Sequence, residues 1–115
     1  MWRKIIIMDE KLIEQSMELI LCAGNGKSMV IEAVKNLMND GDVEKAKTQI
    51  AEAGKEIGKA HEIQTSLLQA EMGGEVYEKP ILLIHAQDHF MNALTIRDMA
   101  NLMVSMFERF EKNAK

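Results

Sequence analysis

His85-Ala86-Gln87-Asp88-His89 gathers the side chains of this chain that could do chemistry. An imidazole can move a proton, attack an electrophile or bind a metal near neutral pH, depending on which ring nitrogen is free. Asp88 follows His85 by about one helical turn, and both stand in a run rich in Ile and Met. A carboxylate is rarely buried without a partner, so its place there asks for a chemical reason. His85 and His89 are also spaced like two zinc ligands on one helix face. The helical zinc-protease motif has Glu directly after its first His, however, and Ala86 stands there. A third ligand would have to come from His61 or a carboxylate, and no spacing recommends one. Taken alone, His85 also has a plain reading as a structural, hydrogen-bonded residue; its partnership with Asp88 shifts the balance.

Three long helices are expected to position these groups. From about Asp9 to Asn39, Leu12, Leu19, Ala23, Val30, Ala33 and Leu37 recur at helical spacing, joined by Ile13, Ile20, Val34 and Met38. Gly24 and Gly26 interrupt that stretch, so the helix either kinks there or lets another backbone come close. Asn39-Asp40-Gly41-Asp42 reads as a C-terminal glycine followed by an Asp N-cap. In the second helix Val43, Ala46, Ile50, Ala53, Ile57, Ala60, Gln64 and Leu67 alternate steps of three and four. Gln64 marks a polar layer on that seam. Ala53, Gly54, Gly58 and Ala60 suggest a closely packed neighbour.

Gly73-Gly74 should end the second helix and open a mobile loop running to Lys79, with Pro80 as the first residue of the third helix. That helix runs to about Asn113. Arg97, Asp98, Asn101 and Glu108 mark its wet side. His85 and Asp88 fall opposite, in the arc of Ile81, Ile84, Met91, Ile96, Met99, Met103 and Met106, where core or interface residues belong. The expected architecture is all-α, an antiparallel three-helix bundle with surplus apolar surface that points to self-association.

Composition agrees. The chain has 115 residues, enough for one domain and no second core. Aromatic content is 4%, with ten Met, which favours helices over sheet. The net charge of -4 and pI near 5.4 exclude the basic stripe a nucleic-acid binder needs. A single cysteine, Cys22, rules out an intrachain disulfide, fits a cytoplasmic location, and on an apolar face reads as a small core residue. The apolar run of Ile5 to Met8 is too short for a secretory or membrane segment. Residues 1–8 read as a flexible leader ahead of a single domain, 9–115. Gly24-Asn25-Gly26-Lys27-Ser28 imitates the end of a phosphate-binding loop. Its first glycine is missing at Leu21 and helix rather than strand precedes it, so it is a decoy.

Several segments in order resemble the lactose/cellobiose-type enzyme IIA of the bacterial sugar phosphotransferase system. They are Ala23-Gly24-Asn25-Gly26-Lys27-Ser28, Gly41-Asp42, Ala60-His61-Glu62-Ile63-Gln64-Thr65 and His85-Ala86-Gln87-Asp88-His89-Phe90-Met91. The last is close to the family's H-A/G-Q-D-H-L-M. Departures are mild: Gly26-Lys27 for the usual Ala-Arg, and Phe90 for Leu. The resemblance covers nearly everything from Met8 onward.

The resemblance implies a homotrimer of three-helix bundles. It implies that His85 accepts a phosphoryl group from the phosphocarrier protein HPr and passes it to a cysteine of the cognate enzyme IIB, while the membrane enzyme IIC carries the sugar. It also implies that Asp88 meets its symmetry mates around a magnesium ion on the trimer axis.

Physical chemistry is compatible with those roles. A phosphohistidine relay needs an accessible neutral nitrogen and donors for the phosphoryl oxygens. Converging carboxylates are better resolved by a hard cation than by protonation. Gln87 or His89 would help orient the phosphoryl group. Gln64 and His61 either line the site from the neighbouring helix or form a buried polar layer. Two other readings stand beside this one: a histidine phosphotransfer domain of a two-component relay, and a non-catalytic oligomerisation module. The former usually carries Lys and Gly after its histidine, where this chain has Gln87-Asp88-His89. The sugar, whether lactose, cellobiose, chitobiose or a related β-glucoside, is not written in this chain.

Overall fold

Three helices account for nearly the whole chain in the computed structural model, which describes residues 2–75 and 79–114, with side chains from residue 10 onward. They are α1 (Trp2–Asp40), α2 (Val43–Met72) and α3 (Ile81–Ala114), and the bundle measures 69 × 23 × 19 Å. The segment read as a leader is described only for its backbone, which continues α1 from Trp2 without a break at residue 8; Met1 lies outside the described residues. Among the described residues, no helix is long and apolar enough to cross a membrane.

The turns form where their residues dictate. Gly41 takes a left-handed φ of 68°, and its N–H closes α1 onto the Leu37 carbonyl at 2.9 Å. Asp42 then caps α2, its carboxylate accepting from the Lys45 N–H at 3.0 Å. At the far end Gly74 has φ 103°. Its N–H reaches the Glu71 carbonyl while Glu75 N–H reaches that of Ala70, the two bonds of a Schellman stop. Of the loop expected after it, residues 76–78 lie outside the described residues. Pro80 sits one place earlier than expected. Its carbonyl accepts from Leu83 and Ile84, so it precedes the first residue of α3 instead of occupying that position.

The packing is up–down–up, with α1 against both neighbours. Leu12, Leu67 and Leu83 close one end; Leu19, Ala23, Val30, Ala33 and Leu37 of α1 meet Ala46, Ile50, Ala53, Ile57 and Ala60 of α2 along the middle. Both expected seams are therefore in the core, and Cys22 is buried with them. The glycine question in α1 resolves at one position. A β-carbon on Gly26 would lie 2.5 Å from Ile57 Cγ1, whereas one on Gly24 meets nothing within 4 Å. Gly54 and Gly58 likewise face open space, so only part of the small-residue stretch of α2 receives a neighbour within the chain.

The expected face of α3 needs correction. Its core face is Leu83, Ala86, Phe90, Ala93, Ala100 and Val104. Ile81, Ile84, Met91, Met99, Met103 and Met106 are exposed, Ile81 to 84% and Met106 to 61%, and Ile96 is half-buried. The helix has two apolar faces. The alanine face packs inward because small side chains let helices approach, and the bulkier face that dominates the sequence pattern looks outward.

Candidate functional site

His85 stands in the second turn of α3, exposed to solvent. One helical turn on, half-buried His89 brings its Nε2 to 3.1 Å from Nε2 of His85, with the rings edge to face at 87°. At that separation one nitrogen carries the proton and the other accepts it. When His89 donates, His85 keeps an unprotonated Nε2 at the surface with its own proton on Nδ1. That is the form able to attack an electrophile.

The other expected site residues lie elsewhere around α3. At ~100° per residue, Gln87 is turned about 160° from His85. Its amide donates to Gln64 Oε1 of α2 at 3.2 Å, which gives the polar layer read on the α2 seam its partner. His61 of α2 packs its ring 5.8 Å from that of Phe90. Within one chain, then, His89 accompanies His85, whereas Gln64, Gln87 and His61 gather on the α2 flank. That flank holds a cavity of about 280 Å³ lined by Gln64, Leu67, Glu71, Lys79, Leu83 and Gln87, with Lys79 and Glu71 paired at 3.5 Å. Sequence reasoning missed this cavity, because nothing in the spacing of Lys79 links it to Glu71 across the end of α2.

Asp88 lies between the two flanks on the outward side of α3. It is exposed and, among the described residues, has no hydrogen bond or ion pair. Around it on the same arc are Ile84 and Met91, with Ile81 about two turns before and Met99 about three turns on, all exposed. No group of three or more His, Cys, Asp or Glu that could hold a metal occurs among the described residues. One carboxylate cannot hold a hard cation alone. An unpartnered one on an apolar face nonetheless has the right donor chemistry to share a cation with copies of itself.

The family described as PTS system, Lactose/Cellobiose specific IIA subunit matches residues 14–108. The lichenan-specific phosphotransferase enzyme IIA component of Bacillus subtilis is 41% identical over 102 residues, covering 89% of this chain and 92% of that protein. The lactose-specific EIIA component of Lactococcus lactis is 32% identical, covering 90% and 97%. Among solved structures, PtcA from S. mutans superposes with a TM-score of 0.82 at 36% identity, covering 86% of this chain and 96% of that one. The cellobiose-specific enzyme IIA of Bacillus anthracis superposes with a TM-score of 0.80 at 36% identity, covering 86% and 90%. The chain therefore belongs to the lactose/cellobiose-specific enzyme IIA family and is a phosphotransferase component of the sugar phosphotransferase system.

Proposed function

We propose that His85 is the phosphoryl carrier of this component, receiving the group from phosphohistidine HPr and delivering it to a cysteine of enzyme IIB for a lactose/cellobiose/chitobiose-type sugar. The observation that carries the reading is the exposed His85 Nε2 with His89 Nε2 beside it at 3.1 Å. In the first transfer the His85 Nε2 lone pair attacks phosphorus. The donor's P–N bond breaks, and its electron pair returns to the histidine of HPr. The His89 Nε2–H, no longer bonded to that lone pair, is positioned to donate to a phosphoryl oxygen. In the second transfer a thiolate of enzyme IIB attacks phosphorus, and the pair returns to His85 Nε2. Little further covalent chemistry is required, since positioning and electrostatics carry such transfers. The reading places the protein in the cytoplasm, where HPr is met.

The assembled form in this reading is a homotrimer. Its support is the outward apolar stripe of α3, adjoined by an apolar groove of about 260 Å³ between α1 and α3 that Val34, Ile96, Met99 and Met103 help to line. Burying such a face is the ordinary fate of one this large. Three copies of Asp88 meeting on the axis would hold Mg²⁺, which neutralises carboxylates that otherwise repel. Asp88 is thus an organiser of the assembly and takes no part in the transfer.

The test is incubation with phosphoenolpyruvate, enzyme I and HPr. Acid-labile label should appear on wild type and be absent from His85→Ala. Unlabelled wild type would leave the oligomerisation module, and label persisting in His85→Ala would move the carrier to another histidine.

A further inference from the structure

We propose that His85 and His89 also form a two-imidazole chelate for a borderline divalent transition metal such as Zn²⁺, and that the bound metal competes with the phosphoryl group. The chelate rests on the geometry of the pair; the competition rests on the reading of His85 as carrier. The two Nε2 atoms are 3.1 Å apart on adjacent turns of one helix. With Zn–N bonds of about 2.0–2.1 Å, a tetrahedral site spans about 3.3–3.4 Å between ligand nitrogens and a right-angled site about 2.9 Å. The observed separation lies between those spans, so the spacing of the two nitrogens already fits a shared metal. The rings must turn from their hydrogen-bonded pose to aim both lone pairs at it, and the exposed ring of His85 is free to make most of that turn.

Binding requires a lone pair on both Nε2 atoms. The ring that had carried its proton on Nε2 carries it on Nδ1 instead, and the other ring is already in that form. Water completes the coordination, because no third His, Cys, Asp or Glu joins the pair among the described residues. Such a site is open, holding the metal reversibly rather than as a permanent structural element. Imidazole nitrogen prefers Zn²⁺, Cu²⁺ or Ni²⁺, whereas a hard cation such as Mg²⁺ prefers carboxylate and water oxygen. The His pair and Asp88 therefore sort two classes of metal, although only a turn of helix separates them. The His85 lone pair that would attack phosphorus is the one the metal takes, so each occupancy excludes the other.

Calorimetric titration of the full chain with Zn²⁺, in buffer holding excess Mg²⁺, tests the chelate without any activity. One Zn²⁺ per chain is expected, with affinity about tenfold or more weaker in His89→Ala and His85→Ala and unchanged in Asp88→Asn. No saturable binding, or binding that neither histidine variant weakens, would overturn the chelate; so would one ion per three chains that depends on Asp88. Labelling from preformed phospho-HPr tests the competition. Zn²⁺ should slow labelling of wild type and EDTA should restore it, while the residual labelling of His89→Ala should be less sensitive. Bound Zn²⁺ with an undiminished labelling rate would overturn the competition. Wild type that takes no label even without Zn²⁺ would instead defeat the carrier reading, leaving the chelate to be judged by calorimetry.

Discussion

Gly24 and Gly26 stand two residues apart in α1, yet alanine should have opposite effects at the two positions. In a helix interior alanine is favoured over glycine by about 1 kcal/mol. At Gly24 the added β-carbon meets nothing within 4 Å, so Gly24→Ala should gain ~0.5–1 kcal/mol. At Gly26 the same atom would lie 2.5 Å from Ile57 Cγ1 and 3.3 Å from the Ala53 carbonyl oxygen. Carbon atoms pack at about 3.5–4.0 Å, so either α1 and α2 part by roughly 1 Å or Ile57 leaves its rotamer. Ile57 is fully buried, and Cγ1 adjoins its branch point, so it has little room to yield. Overpacking of this kind costs about 1–3 kcal/mol, leaving a net loss of about 1 kcal/mol after the helical gain. The two variants should then differ by about 2 kcal/mol, or roughly 8 °C or more in Tm. Urea denaturation at one fixed protomer concentration measures this, because self-association would otherwise move the midpoint. Gly26→Ala at least as stable as wild type would refute the close approach of α1 and α2. Destabilisation at Gly24 would refute the open surface there.

Three further outcomes follow from the same physics. The Asp42 N–H and the Lys45 ammonium hold the Asp40 carboxyl below its ordinary value of 3.8, so its contribution to stability is present at neutral pH and lost as pH falls through the depressed folded value. Asp40→Asn should therefore lower the urea midpoint at pH 7 and converge with wild type in acid; a gap that widens in acid would refute the assignment. Burial first, then Glu56 and Glu18, push the Cys22 thiol up. Its alkylation at pH 8 should be about tenfold or more slower in the folded protein than in urea, and equal rates would contradict its burial. Asp88→Leu should sediment as a trimer with or without chelator, because an apolar layer can replace buried charge at little or no cost. Wild type sedimenting as a monomer at micromolar concentration, with and without Mg²⁺, would end the axial-metal reading.

The seams of α1 and α2 were readable because steps of three and four admit one inward face, and Leu19, Val30, Ala53 and Ile57 are all fully buried on it. The caps were readable because Gly41, Asp42 and Gly74 each do something few other residues can. The third helix defeated the same reasoning. Periodicity weights bulk, so Met91, Met99 and Met106 outvoted Ala86, Ala93 and Ala100, although the alanines are the ones that let α3 sit close. The site divides along similar lines. His85 with His89 follows from a spacing of four, whereas Gln87 is a sequence neighbour of His85 that the helix turns toward Gln64. The Lys79–Glu71 pair depends on how α2 and α3 meet and leaves no periodic trace.

That division bears on how a carrier should be built. A phosphoryl group held by many donors is stabilised in place, and every kilocalorie gained on arrival must be surrendered on departure. Only interactions stronger in the transition state than in the phosphorylated protein speed both transfers. Among the described residues of one chain, His85 has His89 as its single polar partner, while the Gln87 amide lies on another flank of the helix and donates to Gln64. On the proposed reading, a phosphoryl group on His85 would be exposed and lightly held, open to the next nucleophile. A pocket richer in donors would bind that group more tightly and, for that reason, relay it more slowly.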